Sequence, residues 1–379
     1  MGLTHHLMRS GSAKLAFDPD MTGEQFTHWQ GQVRSKLQEL MCFPEDVPDQ
    51  PQPARLWSEP REGYRIEKWE AYPEPGSVVP FLILVPDGVD ASHPGRTVMC
   101  FPGSASSKEL LAGEPELRPE QPDNRHPAAN QMGLQYVKAG YVAVIVENPA
   151  TAELDEMPIN GGNPNTGRDK LCSELLMLGR NYVGLSVFQK QHILDWLKTQ
   201  DWIDTTRIAI SGHSLGTEPG MCLALLDPDV CALVFNDFLS NNRLRYTVMS
   251  KPDDTWRHNN PMWHIIPGLV HWFEFPDLLA SLAPRHLIIC EGGAIEHLEQ
   301  VARGYEVAGA RENYAYHFYP KYEDPSDRKY DYVEIPEGVT QEEWFEHVNV
   351  DAVNHCFKGS LAIPWLVQAM SLPDSDGGS

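Results

Sequence analysis

The sequence predicts an α/β fold: a mostly parallel sheet covered by helices on both faces, with a helical extension at the N-terminus. Three observations predict it. Apolar runs such as YVAVIVE (141–147), CALVFN (231–236) and HLIICE (286–291) have no polar alternation, as strands buried on both faces require. These runs alternate with helical stretches such as Val183–Lys198, the pattern of a sheet wrapped on both sides. One run, RIAIS (207–211), leads straight into a glycine-flanked serine and then into a helical sequence.

Taken in order, residues 22–41 predict an amphipathic helix. Phe26, Trp29, Val33, Leu37 and Leu40 recur at three- and four-residue steps, and Thr22 with Glu24 and Gln25 supplies a start. The stretch 43–60 is rich in Pro and acids and reads as a linker. Tyr64–Tyr72 and Val78–Pro86 read as two strands joined by the turn PEPGS, an antiparallel opening to the sheet. Thr97–Phe101 is a strand followed by a Gly/Ser loop. Tyr141–Glu147, Arg207–Ser211, Cys231–Asn236, His286–Glu291 and Tyr314–Tyr319 are further strands. The expected organisation is a helical arm and linker over 1–60 and one catalytic domain over 61–371. Lid-like insertions are expected near 241–280 and 321–350, and a disordered tail over 372–379.

Charge narrows the partners. Thirty Lys and Arg against 53 Asp and Glu leave a net charge of −23, a poor match for nucleic acid or an anionic membrane. A small-molecule substrate is the expected partner, and the sequence leaves homo-oligomerisation open. No apolar run approaches the roughly 20 residues of a membrane span. The N-terminus MGLTHHLMRSGSAKLAFDPD lacks the apolar core of a secretory signal, which favours the cytoplasm. The seven cysteines are odd in number, scattered and free of CxxC pairs. They fit a reduced compartment and point to neither zinc nor redox work. No cofactor is expected.

The chemistry centres on Gly212-His213-Ser214-Leu215-Gly216. GxSxG alone is weak evidence, but here it sits between a strand and the helical TEPGMCLALL, the strand–turn–helix context that exposes a nucleophilic hydroxyl. The flanking glycines let the chain fold sharply, and the helix N-terminus favours developing negative charge. One oxyanion donor is expected from the backbone N–H of Leu215. A second is expected from the loop Phe101-Pro102-Gly103-Ser104-Ala105-Ser106-Ser107-Lys108, with Ser104 favoured.

A serine hydroxyl needs a general base, and the base needs an orienting carboxylate. Elbow enzymes run in the chain order Ser, acid, His. His355, in NHCFKG just before the final apolar helix, is the expected base. His347 lies in the acidic run EEWFEH and reads as surface, and His317 reads as part of a strand. The acid should follow HLIICE, and Glu296, just past the glycine turn, is the choice. Asp237, Glu291 and Glu299 compete with it. The segment 257–273 is dense in His and aromatics, but His258, His264 and His271 lack tight metal-ligand spacing, so no metal is expected. Trp263, Trp272 and Phe273 offer flat faces that could line a substrate site, or else pack in the core.

GHSLG, FPGSASSK, WIDTTRIAISGHSLG, APRHLIICEGG and NHCFKG together resemble the α/β-hydrolases, within them the dienelactone-hydrolase-like and acetyl-xylan-esterase-like branch. The likeness runs from about Tyr64 to Met370. It implies an eight-stranded sheet, a triad of Ser214, an acid and His355, and carboxylic-ester hydrolysis through an acyl-enzyme. Short acyl esters, acetate foremost, on a polar, sugar-like alcohol are the implied substrates. Three features depart from relatives: Phe-Pro-Gly where many have His-Gly, Glu rather than Asp as the acid, and Ser where dienelactone hydrolases have Cys. Amide, peptide or lactone hydrolysis on the same triad is the alternative activity. A non-catalytic binding protein on the same fold is the alternative of another class.

Overall fold

Hydrophobic patterning and turn chemistry set the elements. A computed structural model describes residues 3–104, 106–114, 116, 127–154, 164–243, 261–319, 337–340, 343, 350, 351 and 353–371. Much of both expected insertions and the whole tail 372–379 lie outside the described residues, as do His258 and His347. The elements run α1 (Leu3–Ser10), α2 (Gly23–Leu40), β1 (Ala54–Arg61), β2 (Tyr64–Ala71), β3 (Val79–Pro86), β4 (Gly95–Phe101), α3 (Lys108–Ala112), α4 (Met132–Lys138) and β5 (Val142–Val146). They continue with α5 (Pro164–Met177), α6 (Tyr182–Leu197), β6 (Ile203–His213), α7 (Thr217–Leu226), β7 (Val230–Asn236), α8 (Phe275–Ala280), β8 (His286–Ile289), α9 (Ile295–Val307), β9 (Tyr314–Tyr316) and α10 (Gly359–Ala369). The described residues thus hold nine strands rather than eight.

The additional strand is β1. Its sequence ARLWSEPR sits at the end of the stretch that composition marks as linker, yet it pairs antiparallel with β2 from Ala54↔Glu70 to Arg61↔Tyr64. Its residues are half-buried or exposed throughout. Charges and Pro60 on such an outermost strand discourage further pairing.

The chain divides into two compact units. The first comprises Met1–Phe43, Arg168–Leu185 and Asn236–His355; the second comprises Pro44–Gly167, Ser186–Phe235 and Cys356–Ser379. In the second unit the strands run in the order β1-β2-β3-β5-β4-β6-β7. The pairs β1–β2, β2–β3 and β3–β5 are antiparallel, whereas β4 pairs in parallel with both β5 and β6. All residues of β3 and β5 are buried, which explains their unbroken apolar sequences.

In the first unit, α2 starts on a capping box. The Thr22 side chain accepts from Gln25 N–H while the Gln25 side chain accepts from Thr22 N–H. Its buried face is Phe26, Trp29, Val33 and Leu37. Phe17 meets Phe26 and Trp29 at ring-centroid distances of 5.9 and 5.4 Å. The arm ahead of α2 is tied down by Lys14 N–H and Leu15 N–H donating to the carbonyls of His271 and Trp272 at 3.0 and 2.7 Å. In the same unit β8 and β9 pair in parallel. None of the seven cysteines is in a disulfide, and Cys100, Cys172, Cys222 and Cys290 are buried as small hydrophobes. Among the described residues, no helix is long and apolar enough to cross a membrane.

Candidate active site

Strand β6 ends at His213, a single 3-10 turn covers Ser214–Gly216, and α7 begins at Thr217. Ser214 stands at the corner with φ +49°, in the left-handed region that side chains other than glycine's avoid. Holding it there costs on the order of 1–3 kcal/mol, which the surrounding structure must offset. The two flanking glycines are obligatory. A Cβ at Gly212 would stand 2.6 Å from Thr217 Cα, and one at Gly216 would overlap the Phe101 carbonyl oxygen. Strand, turn and helix therefore approach each other more closely than side chains allow, and Ser214 is the residue pushed out. It is half-exposed between the buried His213 and Leu215.

The loop after β4 runs beside this turn. A Cβ at Gly103 would lie 3.2 Å from Ser214 Cβ and 3.0 Å from His213 Nδ1, so glycine here brings backbone against the serine. Both ends of the loop are fixed. The Pro102 carbonyl accepts from Asn148 Nδ2 at 2.7 Å. At the other end Ser107 caps α3, its side chain accepting from Leu110 N–H at 3.2 Å. Lys108, fully buried, pairs with Glu109, Glu147 and Glu153 at 2.7, 3.1 and 2.6 Å. Burial opposes its charge, but the three carboxylates outweigh burial and hold its ammonium above the ordinary range. Ser104 is half-exposed in the loop, and Leu215 heads the turn into α7. Both expected oxyanion donors thus lie in the same unit as Ser214.

In the first unit, His355 Nδ1 lies 2.7 Å from Glu291 Oε2. The carboxylate on His355 is therefore Glu291 and not the expected Glu296, which is exposed in the first turn of α9. The glycines after Glu291 explain the correction. Gly292 has φ +71°, and a Cβ at Gly293 would overlap the Leu239 carbonyl oxygen. Leu239 N–H donates to Gly292 O at 2.8 Å and Ala294 N–H to Leu239 O at 3.3 Å. The chain is thus bound to the segment following β7 and is led away into α9. Of the competitors, Asp237 accepts from the N–H of Phe238 at 2.7 Å and Glu299 accepts from the Tyr316 hydroxyl at 2.9 Å. His317 continues the β9 edge, its N–H donating to Ile289 O at 2.8 Å.

Glu291 is fully buried, a placement an isolated carboxylate could not sustain. Its Oε1 accepts from Asn236 Nδ2 at 2.7 Å, and its Oε2 accepts from the Tyr319 hydroxyl as well as facing His355. Sequence reasoning missed Asn236 and Tyr319. The available signal was a carboxylate closing an apolar run, which demands buried donors from elsewhere in the chain. Burial, and then the charge of Glu291, raise Tyr319 well above its ordinary value, so it remains a protonated donor.

The three aromatics expected to line the substrate site are engaged in packing. Phe273 is fully buried and Trp263 is 5% exposed, with the Arg168 guanidinium 4.6 Å from the Trp263 ring centroid. Trp272 carries the ammonium groups of Lys14 and Lys36 at 4.5 and 4.0 Å from its centroid. The arm before α2 and α2 itself thus occupy the ring that was expected to stack on a sugar.

Comparison with known proteins shows the family and the fold. The Abhydrolase family profile matches residues 1–368. A crystal structure from Bacteroides fragilis, provisionally assigned as an acetyl xylan esterase, is 39% identical, covers 97% of this chain and 94% of its own, and superposes with a TM-score of 0.86. A methylesterase structure shares 14% identity over 90% of this chain and 69% of its own at a TM-score of 0.56. A glucuronoyl esterase from Solibacter usitatus shares 14% over 79% and 86% at 0.53. The last two are likenesses of fold alone. No curated protein matches.

Proposed function

The chain belongs to the Abhydrolase family, and from that premise we propose that it is a serine carboxylic-ester hydrolase for short-chain acyl esters, acetyl esters of carbohydrates first among them. The observation that carries this reading is Ser214 held at φ +49° in a strand–turn–helix corner whose two glycines admit no side chain. Strain at a glycine-flanked strand–turn–helix corner that carries a half-exposed hydroxyl at a helix N-terminus is what a nucleophile elbow requires.

The roles follow from the chemistry. Ser214 Oγ attacks the ester carbonyl carbon, and its proton passes to His355 Nε2. The carbonyl π-electrons move to oxygen, and backbone donors at Leu215 and in the 103–104 segment stabilise that oxyanion. Collapse breaks the bond to the alcohol oxygen, which takes the proton from His355 and departs. Water then attacks the acyl-serine, giving its proton to His355, and the second collapse releases the carboxylic acid and restores Ser214. Glu291 holds His355 Nδ1–H throughout, so that Nε2 is the basic nitrogen, and stabilises the imidazolium. Nothing in these steps consumes a cofactor. The acyl preference is supported by the Bacteroides fragilis relative and its provisional assignment.

The experiment is Ser214→Ala with a series of p-nitrophenyl esters and sugar acetates. The variant should fold and keep less than about 1% of activity, and a phosphonate should label the wild type at Ser214. Wild-type activity should fall steeply from acetate to octanoate. Substantial activity in the alanine variant would refute the nucleophile, and a preference for octanoate would refute the short-acyl substrate.

A further inference from the structure

Lys190 is fully buried on α6, in the same unit as Ser214, and no step described so far uses it. Its ammonium contacts three groups: Ser186 Oγ at 2.7 Å, Asn148 Oδ1 at 3.1 Å and the Glu147 carbonyl at 3.4 Å. The ring of Phe101, the last residue of β4, lies 5.0 Å away. Asn148 is therefore held at both ends of its amide. Its oxygen accepts from Lys190 and its nitrogen donates to the Pro102 carbonyl at 2.7 Å. Lys190 presents an N–H to the Asn148 oxygen, so the amide cannot flip without placing its NH2 against that donor. The Pro102 carbonyl and the Gly103 N–H share one planar trans peptide and point in opposite directions. Fixing the carbonyl thus fixes the direction of an N–H in the loop that lies against Ser214.

We propose that Lys190 and Asn148 are positioning residues for ester hydrolysis: Lys190 sets the orientation of the Asn148 amide, and Asn148 anchors the Pro102–Gly103 peptide at the head of the loop that carries Ser104, the expected second oxyanion donor. The inference rests on Ser214 being the nucleophile. A burial this complete is expensive for a lysine and would be pointless as packing, since a methionine fills similar space without it. Burial lowers Lys190 to about 7, with Glu147 partly restoring it. Glu147 is the charged group facing it, and that carboxylate is itself paired with Lys108. The contact set suits both protonation states. A neutral amine has two protons for the Asn148 and Glu147 oxygens, and its lone pair can accept from the Ser186 hydroxyl. The strut therefore holds on both sides of neutrality.

The test compares wild type, Asn148→Asp and Lys190→Met. Asn148→Asp keeps the acceptor for Lys190 and removes the donor to Pro102. Steady-state kinetics on p-nitrophenyl acetate are measured together with inhibition by a boronic acid, which becomes tetrahedral at the nucleophile. Because the oxyanion site is used in the transition state, kcat should fall about 10- to 100-fold with KM within about twofold. The boronate inhibition constant should rise by a similar factor. Lys190→Met should shift the same quantities in the same direction, and if it fails to fold, Asn148→Asp carries the test alone. A folded Asn148→Asp enzyme with wild-type kcat and boronate affinity would overturn the proposal, as would a change confined to KM. Failure of the underlying reading is distinguishable: a Ser214-directed phosphonate would then leave wild-type Ser214 unlabelled.

Discussion

Ser214 and Glu291 are fixed by opposite means. Ser214 owes its position to backbone: a left-handed φ, two glycines with no room for a Cβ, and a strand and helix on either side. All of this falls within a few residues of it, apart from the Phe101 and Gly103 backbone. Glu291 sits at the end of an apolar run and owes its position to side chains that arrive from Asn236, Tyr319 and His355, up to 64 residues away. A backbone device has no partial form, because the corner either closes or does not. A side-chain device is graded, and donors can be removed one at a time.

The largest effect that separates these devices is on the acid. Glu291→Gln keeps the shape of the side chain and deprives His355 of its negative partner, so kcat should drop by roughly 10²–10⁴. Glu296→Gln, an exposed change in the first turn of α9, should stay within about twofold. Steady-state kinetics on one acetate ester decide it. A reversed ranking would mean that His355 takes another carboxylate during turnover and would end the contrast between the two devices.

A smaller effect tests whether the acid's support is graded. Tyr319→Phe removes one of the donors to Glu291 and leaves Asn236 and His355 in place. A buried hydrogen bond to a charged group contributes about 1.5–3 kcal/mol, which the remaining donors should cushion. We expect kcat to fall about tenfold, with KM within about twofold. An unchanged kcat would make Tyr319 a packing residue.

The same contrast decides what could be read from the sequence. The elbow was legible because its determinants are adjacent: RIAIS, the two glycines and TEPGMCLALL lie within 20 residues. The helix 22–41 was legible for the same reason, with its cap and apolar stripe both local. The acid was not, because the residues that select Glu291 over Glu296 come from the end of β7 and from the segment after β9. Strand β1 hid behind charges and a proline that suit an outermost strand and equally suit a linker. The aromatics at 263–273 misled because composition counts rings without showing what covers them. Lys14 and Lys36, more than 230 residues earlier, cover Trp272.

Stability responds to pH with opposite signs in the two units. Glu274, in the first unit, is raised to about 7 by burial, against the Asn242 hydrogen bonds and Arg243 that favour its charge. Its ordinary value is 4.5, so below pH 4.5 it is protonated whether folded or unfolded and costs nothing. Between 4.5 and about 7 only the unfolded chain ionises freely, so the folded state loses stability as pH rises. Lys190, in the second unit, is lowered by burial from 10.5 to about 7. Below pH 7 the folded state carries the full penalty of a buried charge. Between about 7 and 10.5 the folded chain has lost that proton and the unfolded chain has not, so the penalty fades and stability rises with pH. Each contribution is on the order of a few kcal/mol at most. The measurement is the thermal midpoint of wild type minus that of Glu274→Gln from pH 4.5 to 7, and minus that of Lys190→Met from pH 7 to 10.5. The first difference should decline with pH and the second should climb. A flat second curve would mean that Lys190 keeps its proton in the folded state, and the lysine strut would then be a buried cation throughout rather than one that works in both protonation states.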